Sequence, residues 1–337
     1  MRRSTLALFL ALFGSHLVWG DSWMYPTHDD IYTSSNGRFR LTVLIPARDQ
    51  ESLPRHTVQN LGTSSDRPQL KREKVCIGVL EELENGKPRM IWREKLVNPV
   101  SPLEAMVTDN GAFVITYDTW FGVGNDPIVV YNAKGQLINR HTLKSLDLVR
   151  FTRDGTDIMS DAEPRITQST ASIYWKEDSV VFFNQDQTKL IVHLNWGHLF
   201  GLRLRDGTLL DREKLKDELP FISQYLIKIA GTLLASDDVY ERKSGARLVG
   251  ADRLAKFIPR LRELLDDPGV RSGRSMNMDG KYRNSFREYP AREAARNALI
   301  LLGENPPAVV IQESYVSEAD RAESERAMDE SQEPGKP

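Results

Sequence analysis

One local pattern occurs three times in this chain, and it limits the fold more than any other feature. A polar turn leads into a run that alternates apolar and polar side chains: SSNGRFRLTVL from Ser34, VTDNGAFVITYDTW from Val107 and NQDQTKLIVHLNWG from Asn184. Period-two alternation buries one face of a strand and wets the other. Val, Ile, Tyr, Phe and Thr suit that pleated, half-buried surface. Each run is followed by a second strand, a glycine turn (Asn85-Gly86, Lys134-Gly135, Asp206-Gly207) and a third strand. Asn-Gly and Asp-Gly supply the positive φ that tight hairpins require. A small meander cannot cover its apolar faces alone, so meanders in series must stack on one another.

This strand–loop–strand–Gly turn–strand order resembles the blades of β-propeller repeat proteins over about residues 31–215. The resemblance implies propeller-like stacked antiparallel β-meanders in a β domain over 21–215; a β-sandwich is the alternative arrangement. Only three copies are visible, whereas closed propellers carry about four to eight blades. EPRITQSTASIYWKEDSVVFFNQ, between the second and third copies, offers further strands. Residues 48–74 are polar, proline-containing and without period, which predicts a surface insertion.

From Leu219 the apolar spacing changes to three and four. LPFISQYLIKIAGTLLAS and GADRLAKFIPRLRELLDDPG read as amphipathic helices, the second stopped by Pro268-Gly269. EYPAREAARNALILLGENPP is a third, with Pro290 suited to its first turn and Gly303 to its end. Leu261, Leu264 and Leu265 ahead of DDPGVR, then Arg292, Ala294, Ala295, Ala298, Leu299 and Leu302, together resemble a single HEAT-like helical repeat over about 254–304. Such repeats imply a binding surface instead of a chemistry. The fold class is therefore mixed β then α: the propeller-like domain, then a helical HEAT-like segment over 216–308 with a basic insertion at 272–288. The tail 312–337 is charged and nearly free of large apolar groups, so disorder is expected there.

The chain has 337 residues and a formal charge of −2, which allows two domains and argues against a nucleic-acid partner. Arg2, Arg3, the apolar LALFLALF and the small residues Val18 and Gly20 read as a signal peptide over 1–20. The expected location is periplasmic or extracellular, with no transmembrane segment after cleavage. Cys76 is the only cysteine, so no internal disulfide forms and stability must come from the core.

Candidate sites follow from the loops. Trp120 and Trp196 hold matching positions after their alternating runs, each beside a glycine-bearing loop. They read either as packing residues of the repeat or as ligand platforms, with Asp118, Asn125 and His198 as hydrogen-bonding neighbours. Arg271, Arg274, Lys281, Arg283 and Arg287, interleaved with Tyr282 and Phe286, read either as a solvated connection between helices or as contacts to an anionic partner. Gly122-Val-Gly124 lacks the third glycine and following helix of a dinucleotide site. Neither a metal site, a catalytic group nor a cofactor is assigned: Asp154, Asp157 and Asp161 lack the order of a calcium loop, and His193 and His198 lack a carboxylate at ligand spacing. The expectation is an exported binding or interaction module for a protein or envelope polymer. A hydrolase of a saccharide or peptide, working from the β-domain loops, is the alternative.

Overall fold

The three look-alike segments share one turn-and-strand conformation. The structure, a computed structural model, describes residues 26, 28–46, 74–84, 86–148, 166–168, 173–276 and 282–315, with backbone alone for 167–168, 274–276 and 282–284. The signal-peptide segment, nearly all of the 48–74 insertion, Asp154, Asp157, Asp161, Lys281 and the tail beyond 315 lie outside the described residues.

Strands β1 (Asp30–Thr33), β2 (Phe39–Leu44), β3 (Ile77–Glu84) and β4 (Lys87–Lys95) pair in chain order, each antiparallel to the next. So do β5 (Glu104–Val107), β6 (Phe113–Tyr117), β7 (Val129–Asn132) and β8 (Leu137–Arg140). A short hairpin follows, β9 (Thr167–Gln168) with β10 (Ile173–Tyr174). The third four-stranded meander is β11 (Val180–Phe183), β12 (Lys189–His193), β13 (Leu199–Arg203) and β14 (Thr208–Leu210). Each copy thus holds four strands where the sequence announced three. Two of the additional ones, DIYT and EAMV, are four residues each, too short for alternation to register, while the third, VVFF, lies in the stretch that was expected to supply further strands.

The turn that opens each copy is built identically. Ser34, Thr108 and Asn184 each donate their backbone N–H to the carbonyl five residues on and accept a bond from the residue at the third turn position. Their side-chain oxygens take the N–H of Phe39, Phe113 and Lys189, at 2.9, 3.0 and 2.9 Å. The third position is left-handed in all three, at Gly37, Gly111 and Gln187.

Neighbouring turns are also bonded to one another. Asp109 Oδ1 accepts the N–H of Asn36 at 2.8 Å, and its Oδ2 accepts Gln187 Nε2 at 2.8 Å. In the second and third copies the outer-turn glycine sits on the preceding meander. A Cβ on Gly135 would meet Trp92 of β4, and one on Gly207 would meet Asn139 of β8. The meanders therefore stack in sequence order. Between the first two lies a core of Phe39, Leu41, Val43, Leu80 and Trp92 against Val107, Val114, Val129 and Tyr131.

By contact the chain divides into two units. The first holds the residues up to Glu177 with Val181–Val192 and Leu199–Leu219; the second holds Asp178–Val180, His193–His198 and everything from Pro220. In the second unit, α1 (Leu219–Leu234) is followed by α2 (Val239–Ala251), whose first turn is capped by the Asp238 carboxylate. The sequence did not announce α2, because half of its buried residues, Gly245, Ala246 and Gly250, are small. A Cβ on Gly245 would meet Leu233 and Leu234 of α1 at 2.8 and 2.9 Å. One on Gly250 would meet the Ala298 backbone at 2.9 Å. Close approach at these glycines seats the helix beside its buried Leu248 and Val249.

The continuous helix expected over 250–269 is replaced by α3 (Ile258–Glu263) between two 3-10 turns, because α2 ends at Ala251 and Arg253 turns left-handed. The basic insertion is not a loop. It forms strands β15 (Arg271–Met276) and β16 (Tyr282–Glu288), followed by α4 (Pro290–Leu301). The disorder expected from 312 is corrected for its first four residues: β17 (Gln312–Tyr315) pairs with β16, and Arg287 stacks over the Tyr315 ring at 4.9 Å. A buried ion pair closes this unit, Arg242 Nε and Nη2 on the two oxygens of Asp267 at 2.6 and 2.8 Å. Arg292 of α4 donates to the Asp267 carbonyl at 2.7 Å.

Candidate functional site

The β6–β7 connection in the first unit concentrates backbone strain and buried polarity. Asp118, Phe121, Gly124 and Asp126 all have φ between 54° and 90°. Left-handed backbone costs a non-glycine residue about 1–2 kcal/mol, so something must hold it. Asp118, 1% exposed, is the anchor. Its Oδ1 accepts the Gly124 N–H and the Trp175 indole N–H, both at 2.8 Å. Its carbonyl accepts Asn98 Nδ2 at 2.7 Å, and Asn98 also reaches the Thr119 hydroxyl at 3.1 Å.

Burial pushes the Asp118 carboxyl up to about 6, against the opposing pull of Lys176, the Gly124 N–H and the Trp175 indole. Lys176 itself pairs with Glu104 and lies over the Tyr117 ring at 5.0 Å. The β10 strand edge completes the support, with the Ile173 N–H donated to Val123 at 2.8 Å.

Outside this web lies an open cleft of about 390 Å³, lined by Pro99, Thr119, Asn125, Asp126, Arg140 and Thr142. Thr119 and Asp126 are buried at its floor; Pro99, Asn125, Arg140 and Thr142 are exposed. Asp126 is engaged on both oxygens, by Arg140 Nε and by the Thr119 hydroxyl. Because the Gly124 N–H belongs to Asp118, the Gly122–Gly124 stretch does not aim that amide at an outside anion.

The sequence candidates fall into separate places. Asp118, Trp120 and Asn125 share this loop: Asp118 beneath it, Asn125 on the cleft, and Trp120 half-buried, edge-on to Phe121 at 6.5 Å. Trp196 and His198 are in the tight β12–β13 turn, assigned to the second unit, where Gly197 approaches the Ala251 carbonyl. Of the basic set, Arg271 pairs with Glu288 at 3.3 Å and Arg287 with the Tyr315 ring. Phe286 packs its ring over Gly273. Arg274, Tyr282 and Arg283 are strand residues of β15 and β16. Among the described residues no three His, Cys, Asp or Glu side chains converge on a metal position, and no helix is long and apolar enough to cross a membrane.

Asn98, Asp126, Arg140, Thr142, Trp175 and Lys176 escaped the sequence reading. They come from four separate places in the sequence, and no local spacing joins them.

No family model matches the chain, and no curated protein matches it by sequence. Among solved structures it is similar to the C-terminal WD40 domain of Sif2, at 12% identity and a TM-score of 0.23, over 51% of this chain and 32% of that one. The chain thus spans about a third of the Sif2 domain. It is also similar to HIRA(644-1017), at 10% identity and a TM-score of 0.23, over 79% of this chain and 88% of that one. Likenesses this remote carry no argument. The propeller-like character rests on the repeated meanders and their serial stacking.

Proposed function

We propose that this chain is an exported, non-catalytic binding module: a propeller-like domain that holds a ligand at the β6–β7 loop, followed by a HEAT-like helical segment over 254–304. Its partner is a protein or an envelope polymer, and its location is periplasmic or extracellular. The reading is carried by one observation. Both buried carboxylates of the loop, Asp118 and Asp126, are engaged by protein donors. A hydrolase needs an acid–base group within reach of substrate, and here the titratable groups brace the loop. The rim, by contrast, presents an amide, a hydroxyl and a guanidinium, which suit recognition.

The basic strands β15 and β16 are proposed as a second contact surface for an anionic partner, with Arg271, Arg274, Lys281, Arg283 and Arg287 as its charges and Tyr282 and Phe286 beside them. That contact weakens steeply with added salt. The test is a pull-down of envelope proteins and polymers with the mature chain, run beside saccharide and peptide hydrolysis assays. Capture that survives Asp118→Asn and comes without turnover fits the module; turnover abolished by that substitution supports the hydrolase instead.

A further inference from the structure

We infer that the cleft floored by Thr119 and Asp126 takes a carboxylate group of the ligand, gripped by Arg140 and flanked by Asn125 and Thr142. This rests on the binding-module reading above. Arginine presents five N–H donors in a planar fork, and that fork matches a carboxylate with two parallel bonds. Here one donor, Nε, is bound to Asp126, whose side chain is 6% exposed, while the Arg140 side chain is 55% exposed. Among the described residues the guanidinium has no other hydrogen-bond partner, so its terminal nitrogens remain for a ligand. The buried carboxylate fixes the plane of the fork before anything arrives, which lowers the ordering cost of binding.

Two further donors stand on the same rim. Asn125 is exposed, and its only bond among the described residues is from its backbone N–H to Gly122 at 2.9 Å. Thr142 Oγ1 accepts the Ser145 N–H at 3.1 Å, which leaves the hydroxyl hydrogen to donate outward. Charge selects the ligand. One cation, already partly balanced by Asp126, suits a single negative charge; a dianionic phosphate would find too little positive charge here.

A carboxylate can arrive on a peptide C-terminus or on a uronic acid, and the experiment separates them. The full mature chain is titrated calorimetrically with tri-alanine and its C-terminal amide, and with trigalacturonate and its methyl ester. At least one free acid binds, and at least tenfold more tightly than its neutral counterpart; which acid does so names the source. Asn125→Ala removes an exposed group with no structural bond, and Arg140→Lys keeps a cation beside Asp126, so both fold. Each weakens the acid about ten- to a hundredfold, the range expected for one lost hydrogen bond to a charged group. Equal binding of acid and neutral forms, binding of neither acid, or wild-type affinity in both variants overturns the inference. Hydrolysis of either probe, read by mass spectrometry, overturns the non-catalytic reading while leaving the carboxylate assignment standing.

Discussion

Asp118 makes the first unit sensitive to acid in an unusual direction. Its carboxyl is raised by burial from 3.8 to about 6, and unfolding returns it to water and to its ordinary value. Between those limits the folded protein keeps a proton that the unfolded chain has released, so stability falls as pH rises. At about 1.4 kcal/mol per pH unit of separation, the term amounts to about 3 kcal/mol. It is present in full below pH 3.8 and lost once pH passes 6. Asp118→Asn keeps an Oδ1 to accept from Gly124 and Trp175, the two bonds that use that atom, with no charge to bury. The variant therefore lacks the term. Urea unfolding of both proteins at several pH values isolates it, because every other titrating group cancels in the difference. The stability of the wild type relative to Asp118→Asn drops by about 2 kcal/mol between pH 4.5 and 7.5. A difference that is flat with pH, or that grows in favour of the wild type, refutes the reasoning.

Other outcomes follow from single contacts. Gly37 and Gly111 hold equivalent turn positions, but a Cβ meets open space at Gly37 and the Phe39 ring at 2.5 Å at Gly111. Gly37→Ala costs about 1–2 kcal/mol for the left-handed backbone alone, and Gly111→Ala costs about 1–3 kcal/mol more from overpacking; equal losses by denaturant titration contradict the stacking of the first two meanders. Arg242→Ala strands the Asp267 carboxylate in a buried position and destabilises the second unit by about 3–5 kcal/mol; a loss under about 1 kcal/mol in thermal unfolding rules out that role for the pair. Trp175→Phe removes a donor to a charged acceptor, so its cost is greater at pH 7.5, where Asp118 is ionised, than at pH 4.5; the reverse order in urea titrations counts against the assignment. Cys76 is fully buried, with its thiol pushed up to about 12, and reacts with a thiol reagent only after denaturant is added; prompt reaction of the native protein shows the first core to be open.

The turns were the legible part of this sequence. Ser34, Thr108 and Asn184 begin polar hairpins whose hydrogen bonds are local, so a window of six residues contains the whole cause. Four-residue strands such as EAMV carry no such window, and β1 and β5 emerge only when a partner strand is beside them. α2 was hidden for a different reason: helix periodicity is read from bulk, and Gly245, Ala246 and Gly250 pack by lacking it. β15 and β16 were hidden by composition, since Arg, Ser, Gly and Asn read as loop until β17 pairs beside them. At the site, the glycine-rich loop drew attention to Asp118 and Asn125. Trp175, 57 residues from the carboxylate it serves, gave no sign, nor did Arg140, because a cleft assembled across strand ends has no spacing to read.

Asp109 stands where three hairpins meet, one oxygen turned to the copy before it and the other to the copy after. A truncated array would leave half of that grip empty, and a reshuffled one would hand it the wrong neighbour while every strand stayed intact. The order of the copies is thus spelled in part at that middle rung, and an engineer who wished to lengthen or permute the chain would have to rewrite that residue too.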